Sequence, residues 1–444
     1  MQNMRKEKKV RLRAPVAFRY HKQGAGHRRV KRDNFCKMSI IADGRLTRCR
    51  LGDFLKQDIA NPVVFTMYPS SALNTNYPLK NLKKYQTMEF PFYSFDSAAV
   101  WAMVTIATIG SEVPVMVLEI PRNLDSLKAH WSRWMPYYEE CTDIRVLNDD
   151  NLAKVDDGSL FTQMPCEQIS DQKYTINPDT FYEIYSKAFI PKIKIKQPRD
   201  MVRKEAKAPC VIKVPVAAGS DGVKIATTDR EILEYEERVM KMGWKGELVF
   251  QERLTDVIGD RGVQLYIHKD GSVNLGGFSN QTFSSSPARN WTGGIFYRTP
   301  EEEKINLRMV KFLQPAIKKL HEMGYFGYLC FDVMETRNGE LFLTDINPRV
   351  SGSNPHVSMI DGMAGKGFPI SMFVYAESKD LTISVEQLIS RADCLNKGND
   401  DAVIIILAAQ ATKNGTLKTV ISIFATTKCY LLKAKENAFN FSQA

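Results

Sequence analysis

The chain has 444 residues, 44% apolar and 25% charged, an ordinary globular composition with room for two or three domains. None of its eight cysteines sits in a C-x-x-C pair, which argues against a zinc or disulfide framework and for a reducing, cytoplasmic home; no apolar run reaches membrane-spanning length. The net charge of +11 is local, because residues 1–33 hold twelve Lys/Arg against Glu7 and Asp33, and residues 34–444 sum to only +1.

Residues 1–37 therefore read as a solvated basic arm, or as sequence upstream of a start near Met38. Their Arg-rich, acid-poor composition is also that of a transit peptide, and such charge could bind nucleic acid or an acidic surface. Beyond the arm, Val63–Met67 and Val113–Glu119 are short apolar strands around the apolar stretch Ala98–Ile109, a small α/β domain over residues 38–170. The polar stretch Asn148–Asp157 breaks it. Phe181–Ile195 is helix-like and ends on a strand candidate, Lys192–Ile195.

The next elements are the most legible. Cys210–Val216 is a β-branched strand. Thr228 opens a helix with a capping box to Glu231, and Ile232, Leu233, Val239 and Met240 are its expected buried stripe, with Gly243 as the stop. Leu248–Leu254 reads as a strand. Val263–Ile267 and Val273–Leu275 flank a Lys269-Asp270-Gly271 turn. Thr299 caps a long helix with Pro300 at its first position, apolar at Ile305, Met309, Phe312, Leu313, Ile317 and Leu320, kinked at Pro315 and ended by Gly324. Tyr325–Glu335 and Glu340–Ile346 form a hairpin around Arg337-Asn338-Gly339. Sheet and helix alternate throughout, so the class is α/β or α+β. After Gly367 the pattern weakens, and Val403–Ala408 and Lys418–Phe424, joined by Lys413-Asn414-Gly415, predict a small C-terminal unit.

The hairpin from Phe331 to Arg349 carries the sharpest chemical signal. A two-residue Asn338-Gly339 turn sets Asp332 directly opposite Asp345, with Asn347 two residues on along the same face. Facing carboxylates repel, and a fold keeps such a pair when a cation lies between them. Two carboxylates and an amide oxygen are hard ligands that suit Mg²⁺ shared with phosphates. Arg349, after Pro348, is placed to fork onto phosphate. A second signal is Ile212–Ala226, where a strand bearing Lys213 enters a loop with Gly219, Ser220 and Gly222, whose small residues let backbone N–H groups approach phosphate oxygens. A plain hairpin turn explains that loop equally well, and it is no Walker loop. Third, Val249–Leu254 offers a strand end whose backbone could meet an adenine edge, with Glu252 or Asp256 near ribose hydroxyls; an ordinary strand with a polar end has the same sequence.

Taken in order, strand-Lys-Gly loop, helix, Gln-Glu-x-Leu strand, hairpin, long helix and Asp hairpin closing on D-I-N-P-R resemble the ATP-grasp superfamily over roughly residues 170–355. The resemblance implies an ATP-grasp fold: two α+β subdomains, 171–254 and 255–365, gripping ATP. A pre-ATP-grasp domain precedes them and a small domain, 366–444, follows. It implies that Lys213 and the 217–222 loop bind the ATP phosphates, that Gln251, Glu252 and Leu254 form the adenine hinge, and that Asp332, Asp345 and Asn347 hold Mg²⁺ or Mn²⁺ with Arg349 beside the transferred phosphoryl group. It also implies an earlier lysine, for which Lys173 is the first candidate and Lys187 and Lys192 compete. The sequence departs from the family pattern in having Asp345 where Glu is usual and Cys330 where an arginine often stands; Arg289 is the candidate replacement cation. The implied activity is an ATP-dependent carboxylate–amine ligase working through an acylphosphate, with small-molecule carboxylate and amine (amino acid or peptide) as substrates and no membrane partner. A homodimer is compatible with it. The layout is similar to peptide ligases of pheganomycin-type pathways. Other acceptor chemistry (thiol ligase, carboxylase, kinase), or a silent body with a nucleic-acid-binding arm, are the rivals.

Overall fold

The computed structural model describes residues 50–66, 95–167, 169–217, 222–242, 244–284, 290–378, 383–412 and 415–439. The basic arm, Met67, Gly219, Ser220, Gly243, Arg289 and the Lys413-Asn414 turn lie outside those residues.

The first part is a parallel sheet of β1 (Val63–Phe65), β2 (Val115–Val117), β3 (Ile144–Val146) and β4 (Leu160–Thr162), in the order β3-β2-β1-β4. Around it lie α1 (Leu51–Asp58), α2 (Phe95–Ile109), α3 (Leu124–Trp134) and α4 (Asp149–Ala153). Parallel strands joined by crossovers are covered on both faces, and accordingly β1, β2 and β4 are buried at every position. The polar stretch Asn148–Asp157 contains α4, started by Asn148 Oδ1 accepting from Asn151 N. α5 (Pro178–Tyr185) follows, and a short 3₁₀ segment, Lys187–Lys192, replaces the expected strand at Lys192–Ile195. Pro191 within it removes a backbone donor that a ladder would need.

The second part is a small antiparallel sheet of β5 (Asp200–Met201), β6 (Cys210–Lys213), β7 (Val223–Ala226) and β8 (Val249–Glu252), ordered β5-β8-β6-β7. It has its own apolar cluster with α6 (Asp229–Lys241), including Cys210, Ile212, Ile232, Tyr235, Val239 and Phe250. The Thr228–Glu231 capping box forms as the sequence predicts. The buried stripe of α6 is Ile232, Tyr235 and Val239, whereas Leu233 and Met240 are 61% and 60% exposed. Steps of three and four keep to one face of a helix, and a step of one turns a side chain away from it.

The third part is one eight-stranded antiparallel sheet, ordered β13-β12-β9-β10-β11-β14-β16-β15. Its strands are β9 (Val257–Ile267), β10 (Val273–Phe283), β11 (Trp291–Tyr297), β12 (Gly327–Thr336), β13 (Leu341–Asn347), β14 (Ile370–Ser378), β15 (Ala402–Ala411) and β16 (Leu417–Ala425). α7 (Pro300–Glu322), α8 (Asn354–Ala364), α9 (Val385–Asn396) and α10 (Lys428–Phe439) complete it. α7 begins at the Thr299 cap and runs past Pro315, which is exposed; Met309, Leu313, Ile317 and Leu320 are buried, and Ile305 and Phe312 are half-buried. The C-terminal strands, expected as a separate unit, extend this same sheet through the β14–β16 pairing. β15 and β16 are mostly apolar and buried on both faces, and α2, α3, α9 and α10 supply the cover.

Candidate active site

The β12–β13 hairpin forms by a route the sequence did not foretell. The connection is a three-residue loop: Thr336 N donates to Glu340 O at 3.0 Å, and Gly339 sits at φ +81°. The strands pair Glu335 with Leu341 through Val333 with Leu343. A bulge at Thr344 then shifts the register by one and restores Asp332 opposite Asp345. Without it Thr344 would face Asp332, and Asp345 would turn to the opposite face beside Phe331. The bulged residue is used twice. Its carbonyl accepts Lys213 Nζ at 2.8 Å, and its hydroxyl donates to the Asp332 carbonyl at 3.0 Å.

Asp332 Oδ1 accepts Gln281 Nε2 at 2.7 Å, and Oδ2 faces Asn347 Nδ2 at 3.4 Å. Asn347 Oδ1 in turn accepts from Arg349, at 3.1 Å, and the Arg349 guanidinium lies 5.8 Å from the Tyr185 ring centre. Burial, and then the charges of Asp345 and Asp260, push the Asp332 carboxyl well above the usual carboxylate range. That is the response of a carboxyl set among like charges with too little positive charge beside it.

Two lysines approach from the other side. Lys213, at the end of β6, is buried, and burial lowers its ammonium to about 8 against the opposing pull of Asp345. Lys187, also buried, is 3.4 Å from Asp345 Oδ2 and donates to the Ala217 carbonyl at 3.2 Å. Tyr185 OH donates to that same carbonyl at 3.1 Å. Lys173 lies elsewhere, donating to the Val155 carbonyl and standing 3.5 Å from Asp157. Lys192 pairs with Glu183 at 2.8 Å. The lysine brought to the acid pair is thus Lys187. Its sequence signal was its place directly after α5, in Ser186-Lys187, where a 3₁₀ turn aims it back at the sheet.

The neck of the glycine loop is fixed by Val214 N donating to Gly222 O at 2.7 Å. Gly222 has φ +76°, and a Cβ there would lie 2.7 Å from the Ala217 side chain, so only glycine fits. On β8, Gln251 is buried and donates to Asp200 Oδ1 at 2.9 Å. Glu252 Oε1 accepts from Arg199 N at 2.9 Å, so that carboxylate is engaged within the small sheet. Leu254 is half-buried at the start of the segment joining the two sheets. Gln281 and Tyr185 were not among the residues singled out by the sequence; their partners lie 51 and 32 positions away, and no local pattern encodes that.

Among the described residues no trio of His, Cys, Asp and Glu gathers into a metal cluster. The donors that do meet are two carboxylates and an amide, all hard oxygens, and the raised Asp332 carboxyl marks a pair that a divalent cation would satisfy; they fit Mg²⁺ or Mn²⁺. In this arrangement Arg349 engages the amide oxygen, so the carboxylates are the stronger part of the set.

No protein-family model matches the sequence, and no curated protein matches it. Solved structures do. The ADP complex of an N5-carboxyaminoimidazole ribonucleotide synthetase is 11% identical with a TM-score of 0.51, covering 77% of this chain and 93% of that one. The biotin carboxylase domain of Hydrogenobacter thermophilus 2-oxoglutarate carboxylase, a dimer with MgADP, ADP and bicarbonate, is 11% identical with a TM-score of 0.49, covering 78% and 87%. The Thermus thermophilus N5-carboxyaminoimidazole ribonucleotide synthetase is 12% identical with a TM-score of 0.47, covering 73% and 89%. With the small sheet, the wide sheet and the acid hairpin in the order described, the first of these likenesses establishes that the chain has the ATP-grasp fold.

Proposed function

We propose that the chain is an ATP-dependent ligase that joins a carboxylate to an amine and releases ADP and phosphate. The observation that carries this reading is the convergence of Lys213 and Lys187 on the facing pair Asp332 and Asp345, from two different parts of the fold. Cations and carboxylates meeting at one buried point suit a phosphoryl group held together with its counter-ion. The ADP complex of the first similar structure supports the same reading.

In this reading the substrate carboxylate attacks the γ-phosphoryl group, the bond to ADP breaks, and an acylphosphate forms. The amine then attacks the acyl carbon, loses a proton, and phosphate departs with the bonding electrons. Lys213 and Lys187 hold phosphate oxygens, and Arg349, kept in place by Tyr185 and Asn347, presents a planar fork to the group in transfer. Asp332, Asp345 and Asn347 would hold Mg²⁺ or Mn²⁺, which when bound neutralises charge on the phosphates. Gln251, Glu252 and Leu254 line the proposed base site, and Gly219, Ser220 and Gly222 belong to the loop proposed to cover the phosphates. An amino acid or peptide is the proposed amine.

The test is ADP release measured against a panel of amino acids and small carboxylates. ADP should appear only with both substrates. Oxygen-18 in the substrate carboxylate should emerge in phosphate, and hydroxylamine should trap a hydroxamate. Label appearing in AMP would overturn the acylphosphate route, and turnover with bicarbonate alone as the acid would favour a carboxylase. Deleting residues 1–33 should leave ADP release intact; loss of activity would assign the arm to the site.

A further inference from the structure

Asp332 is reached by a side chain from two strands away. Gln281 stands on β10 and Asp332 on β12, and β9 runs between them. The β9 residue opposite Asp332 is Gly262. Neighbouring strands lie about 4.8 Å apart, so a glutamine can span the gap only if the strand between presents no side chain. Gly262 meets that condition. Its backbone is in the ordinary extended range, so conformation alone does not demand glycine there. Space does: a Cβ at Gly262 would lie 2.7 Å from Ser279 Oγ, 3.1 Å from the Gln264 amide and 3.2 Å from Gln281 Nε2.

The result is a notch in the middle of the wide sheet through which Gln281 Nε2 meets Asp332 Oδ1 at 2.7 Å. The Cys330 thiol adds a longer contact to the same oxygen, 3.9 Å. The other oxygen, Oδ2, is the one that faces Asn347. We propose that Gln281, admitted by the glycine notch at Gly262, is a positioning residue that fixes the Asp332 carboxylate so that its Oδ2 edge faces Asp345 and Asn347 and takes the divalent cation. This rests on the reading of the site given above. A neutral amide suits the task because it donates to the carboxylate without cancelling its charge. A lysine or arginine at position 281 would compete with the metal. Groups that orient a ligating carboxylate in this way commonly contribute 10–100-fold in metal affinity.

The experiment measures Mn²⁺ binding to the full chain in the presence of ADP, by the loss of free Mn²⁺ signal in electron paramagnetic resonance. It compares wild type, Gln281→Ala, Gly262→Ala, the double variant and Asp332→Asn, with melting temperatures alongside. Gln281→Ala should weaken Mn²⁺ by about 10–100-fold with little change in melting temperature, and Gly262→Ala should weaken it likewise with a lower melting temperature, because its Cβ must displace buried neighbours. The double variant should be no weaker than either single, because both remove one bond. Excess metal should recover turnover in Gln281→Ala. If Asp332→Asn abolishes Mn²⁺ binding and Gln281→Ala leaves it unchanged, the positioning role is overturned and the metal site stands. If Asp332→Asn binds Mn²⁺ normally, the site itself is overturned and this inference with it. Should Gly262→Ala fail to fold, Gln281→Ala alone decides.

Discussion

Two hairpins at opposite ends of the same sheet invite comparison. β15–β16 is buried along nearly its whole length and mostly apolar, with Ile405, Leu407, Ile421, Ile423 and Phe424 fully enclosed. β12–β13 is less deeply set, and it carries two facing, half-buried carboxylates with the buried Lys213 and Arg349 beside them. Each hairpin carries a bulge, at Leu407 and at Thr344. The first holds the sheet together. The second is held together by the rest of the fold and keeps charges where, left to themselves, they would separate. Stability and chemistry are thus assigned to different ends of one sheet, and the assignment can be broken from either end.

The largest effect should come from the acid hairpin. Asp332→Asn and Asp345→Asn should each lower turnover by about three orders of magnitude or more, the scale of removing a charge-stabilising group from a reacting centre. Their melting temperatures without metal should hold or rise, since a like-charge pair is relieved. Near-normal ADP production by either variant would end the comparison. At the other end, Phe424→Ala should cost about 3–5 kcal/mol of unfolding free energy while leaving turnover per folded molecule unchanged; urea melts and active-site titration report the two quantities. Next, Lys213→Ala should weaken ATP binding by roughly 1.5–3 kcal/mol with little loss of stability, read by calorimetric titration. Unchanged affinity would remove Lys213 from the phosphate site.

The smallest effect sharpens the contrast through pH. His356 is fully buried between α8 and the apolar end of the sheet, with Nδ1 2.9 Å from Ser422 Oγ and Nε2 2.9 Å from Ser371 Oγ. Burial, assisted by Arg298, lowers its imidazole to about 3. The folded value is below the unfolded value of about 6.5. The neutral ring therefore contributes stability that is complete above pH 6.5, and that stability declines by roughly 1.4 kcal/mol per pH unit as pH falls toward 3. Urea melts at pH 7.5 and 5.5 should show this slope in wild type and a shallower one in His356→Gln. Equal slopes would mean that the histidine is not held neutral.

Much of this fold was legible because its signals are local. The capping box at Thr228 and the cap at Thr299 start helices by contacts three residues long. The apolar runs at Val115 and Ala402 had room only as buried strands. What escaped is non-local. Leu233 and Met240 are as apolar as Val239, and only the position of the small sheet decides which side of α6 is inside. Lys187 could not be preferred over Lys173 by spacing, because its partner Asp345 lies 158 positions away. The facing of Asp332 and Asp345 was anticipated from a two-residue turn, and it holds although the turn has three residues.

That last point has a genetic consequence. Thr336 and Glu340 close the loop, so losing one residue of Arg337-Asn338-Gly339 leaves a two-residue turn with Asp332 still opposite Asp345. A single-codon deletion in the exposed turn should therefore be tolerated. A residue lost from β12 between Val333 and Glu335 has no bulge on its own strand to absorb it, and should turn Asp332 away from Asp345.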